Sequence, residues 1–167
     1  MRSDAVQVEL TDPVLTQCQQ LAEQRIAKYG RPHRNYGVTL TDDRIRRMNR
    51  IGVLAEFATA FYLQRPWSWD CDYTPTSKDR DLGDIEVRGT DRADGCLITH
   101  DDDWPATFVL VTLAITGHRT VTASLQGWLP LDQCNLPEHW RTDIPHPAYM
   151  TPQSALHPMR MLTLINN

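Results

Sequence analysis

The eight residues 107–114, Thr-Phe-Val-Leu-Val-Thr-Leu-Ala, limit the fold more than any other stretch of the chain. The run is strand-length and apolar on both faces, so it belongs in the middle of a sheet whose two faces are both covered. Further strand candidates lie at roughly 71–75, 84–89, 95–100 and 119–126, the last closed by Gly127-Trp128-Leu129-Pro130. Helical patterns precede and follow them, which predicts an α/β fold with a mixed central β-sheet flanked by helices.

The first helix starts at Thr11-Asp12-Pro13, a capping side chain followed by proline. Leu15, Cys18, Leu21, Ala22 and Ile26 form its one-sided apolar stripe, and it stops near Gly30-Arg31-Pro32. Residues 30–41 read as a loop. Thr41-Asp42-Asp43 caps a second helix carrying Arg44, Arg46, Arg47 and Arg50. That helix, or a third continuing from it, is almost wholly apolar from Ile51 to Leu63. Residues 137–148 have loop character, and a short helix from Thr151-Pro152 carries Leu156, with Met161 and Leu162 docking after it. No repeat or linker divides the 167 residues, so 1–167 is expected to be one domain with 1–45 as an N-terminal helical extension.

Charge and cysteine usage narrow the function classes. A net charge of −4 and a pI near 5.8 provide no global basic field. That weighs against a non-enzymatic DNA binder, whose affinity depends on neutralising phosphates, and little against an enzyme. Cys18, Cys71, Cys96 and Cys134 are widely spaced, without the ligand spacing of a zinc site or the density of a disulfide framework. No signal-peptide pattern opens the chain and no apolar run is long enough to span a bilayer, so an intracellular, cytoplasmic protein is expected.

Two polar anomalies interrupt this apolar framework. Glu56 is the only charge between Ile51 and Leu63, and a buried carboxylate must be paired or ligate metal. The second is Asp81-Leu-Gly-Asp-Ile-Glu-Val-Arg88-Gly. Residues two apart share one face of a strand, so Asp84, Glu86 and Arg88 would project together while Ile85 and Val87 enter the core. Asp79 and Asp81 lie beside a glycine turn, and either would fold back beside Glu86. Asp84 is either a third carboxylate or a turn residue. Carboxylates converging near a cation are what a divalent metal and a phosphate require. His100 would contact the site or a phosphate if it is not simply structural. Asp101-Asp102-Asp103 reads as a solvated loop. Trp67, Trp69, Trp104, Trp128 and Trp140 read as core and rim packing.

In order and spacing, Gly52-Val-Leu-Ala-Glu56, Asp81 and Glu86-Val87-Arg88 resemble the PD-(D/E)XK nuclease superfamily. Asp81-Leu-Gly-Asp-Ile-Glu-Val-Arg is similar to a phage-type branch with a D-V-G-x-x-E-V-R pattern, and the likeness covers about residues 46–157. The resemblance implies a restriction-endonuclease-like core and metal-dependent hydrolysis of phosphodiester bonds, DNA being the expected substrate. Asp81, Glu86, the Val87 carbonyl and Glu56 would hold Mg²⁺ or Mn²⁺, with Asp79 and Asp84 as further acids. It also implies that Arg44, Arg47, Arg50 and His100 face nucleic acid. The family lysine is Arg88 here. Arginine keeps its proton, so Arg88 would stabilise charge on the phosphate rather than shuttle protons. The rival expectations are the same fold serving as an inactive binding module, and a structural or assembly protein with a surface acid cluster.

Overall fold

The computed structural model describes residues 4–29, 41–69, 81–115 and 119–165. The expected strand at 71–75 and Asp79 lie outside them. The chain opens with a strand, β1 (Val6–Thr11), that the sequence analysis had assigned to a helical extension. Its period-two pattern is plain once seen: Val8 and Leu10 are buried, while Gln7, Glu9 and Thr11 are exposed. Helix α1 (Asp12–Tyr29) follows without a loop, and α2 (Asp42–Leu63) is one continuous helix. The Thr41 hydroxyl caps α2 by accepting the Arg44 N–H, and Gln64 ends it in the left-handed region at φ 52°.

Four strands make the main sheet, in the order β1, β5 (Thr120–Pro130), β4 (Thr107–Ile115), β2 (Ile85–Thr90). The sheet is mixed: β2 runs parallel to β4, whereas β4 with β5 and β5 with β1 are antiparallel. Strand β4 is the buried interior strand that its two apolar faces predict. Among the described residues β2 forms one edge. The remaining strands, β3 (Leu97–Thr99), β6 (Trp140–Arg141) and β7 (Ala148–Thr151), form a second, three-stranded sheet in the order β3-β7-β6. Two of them fall where loop or helix was expected, at 137–152.

Alternation along β4 sorts the core into two layers. Val109 and Val111 pack with Val87, α1, α2 and the closing helix α4 (Met159–Ile165). Phe108 and Leu110 point the other way, to Leu97, Leu129, Cys134 and Leu156. The helix expected from Thr151-Pro152 is a single 3-10 turn, Gln153–Ala155, and the Leu156 that follows it lies on the face away from α2, with β3 and the one-turn helix α3 (Leu131–Cys134). Helix α4 lies on the other side, its Met159 and Leu162 joining the layer beneath α1 and α2. Met161, expected to dock, stays 43% exposed.

Gly89 sets how closely α2 approaches β2. A Cβ there would lie 2.8 Å from Ala55 Cβ and 3.0 Å from both Ile51 Cγ2 and the Ile51 carbonyl oxygen. Only glycine allows this helix–strand contact, and the contact brings the middle of α2, with Glu56, over the edge strand.

Candidate active site at the edge of the main sheet

The acidic residues singled out by sequence gather around β2. Asp81 precedes the strand, and a tight turn with Gly83 at φ 72° returns the chain so that Leu82 and Ile85 pair. The Asp81 carboxylate accepts the Val87 N–H at 2.8 Å. In extended backbone a residue's N–H and C=O leave the strand on the same side. The Val87 carbonyl therefore emerges at the edge where Asp81 sits, away from β4. Ile85, Val87 and Gly89 face α2, so Glu86 and Arg88 lie on the opposite face. Carboxylates thus surround one strand edge: Glu56 from the helix side, Asp81 at the rim, Glu86 from beneath.

Glu56 is buried, and its partner is a residue the sequence analysis did not select. Arg25, on α1, donates from Nη1 at 2.9 Å and Nη2 at 2.8 Å to the two Glu56 oxygens. With side-chain exposures of 15% and 10%, the pair is nearly shut off from solvent. Burial, then the nearby Asp81 carboxylate, push Glu56 up to about 7, and the two Arg25 hydrogen bonds only partly oppose them. Arg25 lies four residues after Leu21 and next to Ile26, so its place beside the apolar stripe was a signal available in the sequence.

Asp81 is raised as well, chiefly by burial, against the Val87 N–H and the charge of Arg88. The Glu86 side chain is close enough to lower it in turn.

Arg88 spans from the acids to the next loop. Nη1 donates to Glu86 at 3.3 Å, Nη2 to Asp103 at 3.2 Å, and the guanidinium lies 5.1 Å from the centre of the Phe108 ring. Asp103 therefore departs from the solvated-loop expectation. Its side chain is 6% exposed, and it also accepts the His100 N–H at 2.8 Å. The reason is the tight turn after β3, which closes with Asp103 N–H bonded to the His100 carbonyl and turns the third acid inward. Asp101 and Asp102 remain exposed. His100 sits beside this carboxylate, with Nδ1 3.8 Å away.

Asp84 resolves as a turn residue. It is outside β2 and pairs with Arg65 at 2.7 Å, which also donates to the Leu82 carbonyl at 2.6 Å. The arginines of α2 differ in their partners. Arg47 reaches forward to Asp91 at 2.6 Å, and Arg46 turns back towards Glu23 on α1 at 3.7 Å. Arg50 is half-buried with its Nε enclosed, close enough to Cys18 on α1 for its charge to be felt there. Arg44 is exposed. At 100° per residue the four arginines fall within about 160° of one another around the helix, so they share one side while reaching different neighbours.

No family model matches this chain, and no curated protein or solved structure matches it. The site's meaning therefore rests on its own chemistry. Glu56, Asp81, Glu86, Val87 and Arg88 lie near one another at this strand edge, with Arg25 and Asp103 as hydrogen-bond partners. Among the described residues, no three His, Cys, Asp or Glu side chains are arranged to hold a metal ion as they stand. No described helix is long and apolar enough to cross a membrane.

Proposed function

We propose that the protein is a metal-dependent nuclease that hydrolyses phosphodiester bonds in DNA, on a restriction-endonuclease-like core. The observation that carries this reading is the meeting of Asp81, Glu86 and the edge-facing Val87 carbonyl, with Glu56 above them and Arg88 beside them. The fit to a divalent cation rests on the nearness of the Asp81 and Glu86 side chains beside the edge-facing Val87 carbonyl. Their donors are all oxygen, which suits Mg²⁺ or Mn²⁺ rather than zinc. Asp81, Glu86 and the Val87 carbonyl would hold the ion; when bound it supplies an activated water and a polarised phosphoryl oxygen.

The protein's own groups would do the positioning. Val87 N–H fixes the rotamer of Asp81, so the remaining carboxylate oxygen stays turned to the gap. Arg88, permanently charged, would offer its guanidinium to the phosphate and stabilise charge there, with Asp103 holding its far end. No proton passes through Arg88. A water held between Asp81 and Glu86 would have to lose its proton to solvent or to one of those carboxylates.

A second reading is an inactive nuclease-fold module that binds nucleic acid or protein. It is favoured by the pairing of Arg88 with both Glu86 and Asp103, which leaves its guanidinium engaged at two ends. Incubating labelled linear and circular DNA with Mg²⁺ or Mn²⁺ separates the two. Cleavage by the wild type that is lost in Glu86→Gln supports the nuclease, and circular substrate distinguishes endonuclease from exonuclease. Absence of cleavage together with DNA binding that ignores metal supports the inactive module.

A further inference from the structure

Arg25 occupies an unusual place for a buried cation. It comes from a different helix, lies 31 residues from Glu56 in sequence, and binds both oxygens of the one carboxylate above the edge strand. A bidentate guanidinium uses the same lone pairs that a metal ion would, in the same plane. We propose that Arg25 is a built-in second cation: it fills Glu56, so the site takes one divalent ion, held by Asp81, Glu86 and the Val87 carbonyl. This rests on the metal-dependent reading above and specifies the stoichiometry and ligands of that same site.

The two guanidinium groups divide the acids between them. Arg25 neutralises Glu56, and Arg88 is shared between Glu86 and Asp103. The geometry agrees, because the Val87 N–H holds Asp81 at the strand edge while Glu56 is turned to Arg25. Two-metal phosphodiesterases place their ions about 3.5–4 Å apart and need acids for both. Here the acid for the second ion is already taken.

The test is stoichiometry, read without turnover. Metal-free full-length protein is titrated with Mn²⁺ alone, and bound ion is counted by calorimetry and by the electron-spin-resonance signal of the free ion. The wild type is expected to bind one Mn²⁺, with Glu86→Gln abolishing it. Arg25→Met frees Glu56 and is expected to bind two, and Arg25→Met combined with Glu56→Gln returns to one. Arg25→Lys retains the charge and is expected to stay at one, which guards against a variant that fails to fold. Two ions in the wild type, or one in a folded Arg25→Met, overturns the inference and leaves the metal site intact. No bound ion in the wild type overturns the metal-dependent reading itself.

Discussion

Replacing Arg25 by methionine gives a stability defect that grows with pH, in a window fixed by Glu56. The pair is buried at 15% and 10% side-chain exposure, and Glu56 stands at about 7 even with its partner present. Removing Arg25 takes away the group that favours the ionised form, so the folded-state value rises further. A carboxyl group whose folded value exceeds its unfolded value of 4.5 stabilises the fold fully below that lower value. The contribution is lost as pH rises through the folded value. Wild type and variant therefore decline together up to about 7, and only the variant continues to decline beyond it. Each further pH unit up to the variant's own raised value adds about 1.4 kcal/mol to the difference, hence at most about 2 kcal/mol between pH 7 and pH 8.5. For a domain of this size that is about 4–8 °C in Tm. It adds to a smaller, pH-independent loss from the packing of the arginine stem. The full cost at alkaline pH should approach the roughly 3–5 kcal/mol typical of breaking one side of a buried ion pair. The assay is thermal melting at about pH 6 and pH 8.5 for wild type, Arg25→Met, Glu56→Gln and the double variant, treated as a double-mutant cycle. The alkaline increment should vanish whenever Glu56 is glutamine. A deficit of Arg25→Met equal at both pH values, or one that persists in the Glu56→Gln background, refutes the reasoning.

Gly89→Ala should destabilise by about 1–3 kcal/mol, because its methyl group meets Ala55 and the Ile51 backbone at 2.8–3.0 Å; chemical denaturation measures this. Asp103→Asn should leave folding largely intact but lower DNA-cleavage kcat by about 10-fold to 100-fold, with KM less affected, since Arg88 loses its far anchor. Equal loss in Arg88→Ala and in the double variant would show that Asp103 acts through Arg88. Thr41→Ala removes the hydroxyl that accepts the Arg44 N–H and should cost about 1 kcal/mol, or about 2–4 °C in Tm, wherever the site is left untouched.

What could be foreseen from sequence divides along physical lines. Strand β4 was legible because burial on both faces leaves no polar alternation to mistake. Helix α2 was legible from its cap and its apolar length, and the turn before Glu86 from Gly83. The same local logic located Glu56, Glu86 and Arg88, since each stands out against its own segment, whereas only the resemblance singled out Asp81 over Asp79. Arg25 and Asp103 do not. Arg25 is one of several charges on α1, and Asp103 one of three consecutive acids; each acquires its role from a partner 31 or 15 residues away. The split of Arg44, Arg46, Arg47 and Arg50 among different neighbours likewise depends on where α1 and Asp91 lie. Strand β1 escaped notice for a different reason: its alternation is carried by only Val6, Val8 and Leu10 in a polar setting. Strands β6 and β7 are short and proline-flanked, a composition shared with loops.

Strand β1 also determines when the molecule can be completed. Val6 pairs with Leu125 and Thr11 with Thr120, so β1 closes the main sheet against a strand synthesised long after it. At about 5–20 residues per second, it waits on the order of ten seconds for a partner. During that interval α1 and its Arg25 can meet α2 and Glu56, which are made far earlier, but the floor beneath them is missing. The polar rim of Gln7, Glu9 and Thr11 then acts as a guard, keeping a half-hydrophobic strand from pairing with the wrong edge while it waits. Apolar substitutions at these exposed positions would scarcely alter the finished fold, yet would be paid for in aggregation during synthesis.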